Sequence, residues 1–145
     1  MSKRISIKDT EPEAYKAMMT LENYAKNIQI EPKLKELIKI RASQLNRCGY
    51  CIDMHTEYAI RVGENIRRIF ALDAWKESHL FSDEEKAVLQ LTEEITHISL
   101  DGVTDDTYSR IESYYDAQTI ARLIMLIVLI NSWNRIAVST KMIYK

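Results

Sequence analysis

Apolar residues recur along most of this chain at spacings of three and four and almost nowhere in strict alternation, the pattern of amphipathic helices rather than strands. Ala14, Met18, Leu21, Ala25 and Ile28 place a first helix at about 11–28. Thr10 is its expected N-cap, with Glu13 three residues on and Pro12 in the first turn. Pro32 opens a second helix, carried by Leu34, Leu37, Ile38, Arg41 and Leu45 to about Gln44. A third runs from about Cys48 to Val62 and stops at Gly63. From Glu64 to Ser78 the periodicity weakens. Two short helices, 65–70 and 71–76, would there bury Ile66, Ile69, Phe70, Leu72 and Trp75. Ser82-Asp83-Glu84-Glu85 is a capping box for a helix to about His97, with Ala87, Val88, Leu91 and Ile95 inward. Asp101-Gly102 is a turn, Thr104 caps a short helix ending near Ser113, and the last helix follows Asp116 to about Lys141. Ile5 and Ile7 alternate in an N-terminal arm, Met1 to Asp9, too brief to assign.

The last helix is apolar nearly all round from Ile120 to Ile130, as expected of the central helix of the fold or of a subunit interface. Its longest wholly apolar run, Leu123 to Ile130, is far short of the roughly 20 residues that span a bilayer. Asn131, Trp133, Asn134 and Arg135 then put polar groups on this element, where they must bridge helices or line a pocket.

Composition agrees with this pattern. The chain has 145 residues, 46% hydrophobic and 28% charged, with only 3 Gly and 2 Pro, so long helices are favoured over many turns. A chain of this length buries roughly 68% of its unfolded surface. The expectation is an all-α, single compact helical domain of about six to eight helices spanning 1–145. With 20 basic and 21 acidic side chains the net charge is -1 and no basic block stands out, so nucleic acid is not an expected partner. The polar opening Met1 to Thr10 lacks the apolar core of a signal peptide, so a cytoplasmic protein with no membrane partner is expected.

Chemistry concentrates at Cys48-Gly49-Tyr50-Cys51, with His55 four residues on and Glu36 twelve before the first thiol. These are the only two cysteines, and in a reducing compartment such a pair serves catalysis or metal binding more readily than a structural staple. On a helix starting near Cys48, the side chains of Cys48, Cys51 and His55 share one stripe. A free thiol with a pKa near 8.5 is only about 3% ionised at neutral pH, and lowering the pKa by about two units makes it roughly 75% thiolate. A helix N-terminus and a neighbouring imidazole both act in that direction. By helix position alone Cys48 should be the more acidic and more exposed thiol. The arrangement reads as a redox centre.

Glu36, eleven intervening residues, Cys48-Gly49-Tyr50-Cys51, three more and His55 resemble the core motif of the alkylhydroperoxidase D-like (AhpD-like) branch of the carboxymuconolactone decarboxylase superfamily. The likeness runs from about Pro32 through Ala59-Ile60-Arg61-Val62-Gly63 to the helix opened by Ser82, and Asn131-Ser132-Trp133-Asn134-Arg135-Ile136 is similar to the end of many members. The resemblance implies an all-helical fold assembling into dimers, trimers or hexamers. It also implies a dithiol that reduces peroxides or passes electrons to a peroxiredoxin partner. The expectation is therefore a Cys48/Cys51 pair that reduces hydroperoxides or protein disulfides, is reset by a cellular dithiol reductant and requires no metal or organic cofactor. The resemblance makes Glu36 and His55 a proton relay, Cys51 the thiol that attacks the peroxide and Cys48 the one that resolves it. The best-known members have a histidine before the second cysteine where this chain has Tyr50, whose hydroxyl can donate a hydrogen bond but is no base near neutrality.

Three other readings compete. A zinc site of Cys48, Cys51, His55 and Glu36 would draw three ligands from one stripe that spreads over about 10 Å of helix axis. A decarboxylase or lactone-processing enzyme would not need the cysteine pair. A non-catalytic oligomeric scaffold would rest on the apolar last helix alone. His79 and His97 are expected at the surface.

Overall fold

In the computed structural model, which describes residues 4–145, the helical periodicity resolves into eight α-helices and one 3-10 turn, with no strand among those residues. Met1, Ser2 and Lys3 of the expected arm lie outside the described residues. The helices are α1 (Ile7–Thr10), α2 (Pro12–Asn27), α3 (Pro32–Leu45), α4 (Gly49–Arg61), α5 (Ile66–Ala71), α6 (Asp83–Thr96), α7 (Asp105–Glu112) and α8 (Ala117–Thr140); the 3-10 turn, Leu72–Ala74, follows α5.

Most boundaries follow from capping. Ser82 and Glu85 form the capping box at the start of α6, each side chain bonded to the other's backbone. Thr104 and Asp116 accept from the backbone N–H groups of Thr107 and Thr119 at the starts of α7 and α8. At the end of α4, Gly63 takes φ +85, a conformation costly for any residue with a Cβ. This lets the Gly63 N–H reach the Ile60 carbonyl at 3.0 Å and the Glu64 N–H reach the Ala59 carbonyl at 2.9 Å, the paired bonds of a Schellman stop. The expected box at Thr10 does not form. Thr10 is instead the last residue of α1, which Ser6 caps, and α2 begins from Glu11 without a side-chain cap.

α3 is the most enclosed element, buried at every residue from Glu36 to Ser43. One side joins Leu34 and Ile38 to Ala87, Val88 and Leu91 of α6 and to Leu123, Leu126 and Ile127 of α8. The other joins Leu37 and Ile40 to Ala59, Ile69, Leu72, Trp75, Phe81 and Leu89. Of the face expected in the weak stretch, Ile69, Leu72 and Trp75 are buried, whereas Ile66 is 51% and Phe70 79% exposed. Ile66 and Phe70, four apart on α5, share the stripe that faces away from the side carrying buried Ile69. The buried charged residues of α3, Glu36, Lys39 and Arg41, each have a partner of opposite charge. Arg41 donates to Glu93 from Nε at 3.0 Å and to Asp73 from Nη1 at 2.8 Å, and Glu93 also accepts from the Trp75 indole at 2.7 Å.

α8 is long and apolar enough by length and composition to cross a membrane. Here it is a core helix, packed against α2, α3, α4, α6 and α7. Its polar end bridges helices: Asn46 Nδ2 donates to the side-chain oxygens of Asn131 and Asn134, both at 2.9 Å, while Asn131 Nδ2 donates to Thr96 and Asn134 Nδ2 to Ser43. Trp133 donates to Glu22 of α2 at 2.8 Å. This network ties α8 to the loop between α3 and α4, immediately before Cys48.

Asn134 has no exposed surface. Asn134→Ala removes its bonds to Asn46 and Ser43 and is expected to lower the unfolding free energy by about 1–3 kcal/mol in urea titration. A change below about 0.5 kcal/mol, the size of an ordinary surface substitution, would mean the network does not hold the α3–α4 loop.

Candidate active site

Cys48 is the N-cap of α4 rather than its first helical residue, and its Sγ accepts the backbone N–H of Cys51 at 3.3 Å. Cys51 lies in the first turn of the same helix. The two are joined as a disulfide with Cα atoms 5.3 Å apart, and both side chains are buried, with Ala137 of α8 packed on them and Tyr50 alongside. The expectation of an exposed Cys48 is therefore corrected, because the chain entering α4 runs beneath α8 and covers the cap residue. Of the pair, Cys51 borders the cavity described below.

One turn after Cys51, His55 is buried and directs Nδ1 at Oε2 of Glu36, 2.9 Å away on α3. The other carboxylate oxygen, Oε1, faces Nζ of Lys39 at 3.4 Å, and Lys39 is itself buried. Burial pushes the Glu36 pKa up, but the hydrogen bond from His55 and the Lys39 ammonium outweigh it and hold the carboxyl below its ordinary value. Glu36 is thus an acceptor and orients a proton on Nδ1 of His55 toward itself, so that Nε2 is the ring nitrogen left for exchange with a neighbouring group.

Cys51, His55 and Tyr50 form part of the wall of an open cavity of about 940 Å³ bounded by α1, α2, α4, α8 and the chain on either side of them. Trp133, Met54 and Tyr58 line it, together with the largely exposed segments 4–8 and 141–143. Arg4 donates to the Ser139 carbonyl at 2.7 Å, which holds the first of these against α8. Lys141, at φ +53, turns the chain out of α8 and back across α4. There Tyr144 donates to Glu57 at 2.5 Å and stacks edge-on with Tyr50, ring centres 5.8 Å apart. The bond to Glu57 pushes the Tyr144 hydroxyl up to about 12. Burial, with Tyr15 and Tyr58 nearby, also raises the Tyr50 pKa, so its hydroxyl stays a neutral donor at neutral pH.

The structure therefore brings Cys48, Cys51, His55, Glu36 and Tyr50 into one region and leaves His79 and His97 exposed elsewhere. It does not arrange Cys48, Cys51, His55 and Glu36 around a point. Among the described residues no three His, Cys, Asp or Glu are grouped to hold a metal ion. Lys39 was missed from sequence, although its position three residues after Glu36 on a helix is the spacing at which an ion pair forms. Tyr144 and the terminal segments carry no local sequence signal.

The carboxymuconolactone decarboxylase family profile matches residues 12–94. The uncharacterized protein YdfG of Bacillus subtilis is 46% identical over 139 residues, which cover 96% of this chain and 95% of that one. A crystal structure of a protein of unknown function from Agrobacterium tumefaciens, described as a candidate antioxidant defence protein AhpD, superposes with a TM-score of 0.96 at 33% identity, covering 99% of both chains. The debrominase Bmp8 superposes with a TM-score of 0.81 over 94% of this chain and 74% of its own; at 18% identity this is a likeness of fold.

Because its folded pKa lies below the unfolded value, Glu36 contributes stability above the ordinary carboxylate range, which is lost as pH falls through the folded pKa. Lys39→Met removes the ammonium and leaves burial less opposed, so this loss should begin at a higher pH. Urea midpoints measured from pH 7 downward, with a carbon-13 titration of the Glu36 carboxyl, check this. Coincident acid limbs in the two proteins would mean that Lys39 does not set the ionisation of Glu36.

Proposed function

This chain belongs to the carboxymuconolactone decarboxylase family, as one of its AhpD-like members, and on that premise we propose that it is a single-domain thiol oxidoreductase whose Cys48–Cys51 pair reduces hydroperoxides. The observation that carries this reading is that Cys51 meets a cavity beside His55, whose other ring nitrogen is held by an ionised, buried Glu36.

In the reduced protein, His55 Nε2 takes the Cys51 proton, and Glu36 stabilises the imidazolium that results. The Cys51 thiolate attacks the terminal peroxide oxygen, so that an S–O bond forms, the O–O bond breaks, and the departing alkoxide takes the proton from His55 and leaves as the alcohol. Cys48 then attacks the Cys51 sulfenic acid, forming the disulfide and releasing water. The peroxide gains two electrons and the dithiol loses two. A cellular dithiol or a peroxiredoxin partner completes the cycle by thiol–disulfide exchange. The helix N-terminus at Cys48 favours its thiolate as attacking and later leaving group, while Cys51, on the cavity side, meets the substrate. Tyr50, with no hydrogen-bond partner for its hydroxyl among the described residues, donates to the peroxide oxygen where other members of the family use histidine.

Met125 and Val128 of α8 and Ile98 and Leu100 after α6 expose apolar surface, and a groove between them is lined by Ile95, Val103 and Ile124. That face supports self-association into a homo-oligomer. A dithiol that must be reduced in each cycle suits the cytoplasm.

The test is a thiol count. Reduced protein, freed of reductant and given one equivalent of an organic hydroperoxide, should lose both thiols and two hydrogens of intact mass. Cys48→Ser should stop at a sulfenic acid on Cys51, and Cys51→Ser should lose peroxide reduction by about a hundredfold or more. Two thiols surviving excess hydroperoxide would overturn the reading.

A further inference from the structure

The cavity over Cys51 is far larger than the smallest peroxide needs. A water-sized molecule takes about 30 Å³, so a space of about 940 Å³ is roughly thirty times greater and lies at the upper end of pockets that enclose whole organic ligands. Cys51 and His55 are buried members of its wall, and much of the rest of the lining is apolar, with Met19, Met54, Tyr58 and Ile136 prominent. Two aromatic pairs stiffen it: Tyr15 meets Trp133 edge-on with ring centres 5.9 Å apart, and His55 meets Tyr58 at the same distance.

Charge is one-sided. In a chain of net charge -1, the charged side chains that line the cavity are Arg4, Lys8 and Lys141 at the mouth, and Glu22. Glu22 already accepts from the Trp133 indole, and Arg4 is engaged by the Ser139 carbonyl. Lys8 Nζ stands 5.9 Å from the centre of the Tyr15 ring and Lys141 sits at the outward turn after α8; both residues are exposed and line the cavity. Such an arrangement selects a ligand with one reactive end, a long apolar body and a negative end.

We propose that this cavity binds organic acids of the fatty-acid type, so that the substrate class is a hydroperoxide on a long apolar chain whose carboxylate pairs with Lys8 and Lys141. The assignment of substrate class rests on the peroxidase reading; the assignment of ligand class does not, because binding needs no turnover. The chain lies along Met19, Met54 and Ile136, its hydroperoxide reaches Cys51 and His55, and the electron balance is that of the dithiol reaction above. Each methylene buried in such a lining strengthens binding roughly three- to fourfold, whereas each exposed cation at the mouth adds only a few-fold and is screened by salt.

The test uses the oxidised wild-type protein, which cannot reduce a peroxide, and unreactive probes: octanoate, decanoate and dodecanoate with their methyl esters. Trp133 lines the cavity and reports occupancy by fluorescence, while Trp75 is packed in the cluster on the far side of α3 and gives a constant background. Affinity should rise two- to fourfold per added methylene, each acid should bind at least fivefold more tightly than its ester, and salt should erode that ratio. In Lys8→Gln with Lys141→Asn, the second chosen because asparagine tolerates the left-handed turn, the ratio should fall at least twofold, with Arg4 accounting for what remains. Equal affinity for acid and ester, or no binding by fluorescence and calorimetry, would overturn the proposal. Binding of the acids without hydroperoxide turnover would support the ligand class and count against the peroxidase reading. Turnover of a small hydroperoxide with no preference for acids would overturn the ligand class alone.

Discussion

A carboxylate inside a protein must be matched atom by atom, and the requirement falls here on Glu36. An unpaired buried charge costs several kcal/mol or more, and the packing of α3 leaves Glu36 almost no contact with water. His55 satisfies one oxygen from α4 and Lys39 the other from α3 itself. The pairing with His55 therefore does two things at once. It fixes how α4 lies against α3, and it fixes the tautomer of the one imidazole that shares the cavity with Cys51.

The rest of the molecule supports that contact. Glu31 caps α3, accepting from the Leu34 N–H at 2.9 Å, and so sets where Glu36 falls along the helix. The asparagine network between α8 and the α3–α4 loop holds the chain just before Cys48, and Gly63 stops α4 within two turns of His55. α8 supplies the apolar floor on one side and Ala137 over the disulfide on the other. Stability and chemistry draw on the same residues, since α3 must be buried for the core to close and its burial is what makes Glu36 useful.

Much of this was legible in the sequence where one residue decides one boundary. Pro32, the Ser82–Glu85 box, Gly63 and Asp116 placed helix ends to within a residue or two because capping is local physics. Thr10 misled because Ser6 captured the preceding turn, and Ile66 and Phe70 misled because a six-residue helix is too short for its periodicity to tell which stripe faces the core. The helix enclosed most completely was also disguised. α3 carries Glu36, Lys39 and Arg41 among its apolar residues, so hydropathy pointed to α8 as the centre, whereas the Glu36–Lys39 pair within α3 and the distant partners His55 and Glu93 make those charges tolerable inside. The spacing of Glu36, Cys48, Cys51 and His55 told which residues to examine. The cavity, and the part that segments 4–8 and 141–143 play in its lining, depends on tertiary contacts alone.

The central claim is that Glu36, acting through His55, activates Cys51. The most direct measurement is the pH titration of the Cys51 thiolate by its ultraviolet absorbance in reduced Cys48→Ser protein, with and without Glu36→Gln. With Glu36 present, Cys51 should ionise at lower pH, and Glu36→Gln should move the midpoint upward by about one unit, a tenfold loss in the thiolate–thiol ratio. Superimposable titrations would contradict the claim and leave Glu36 a packing residue.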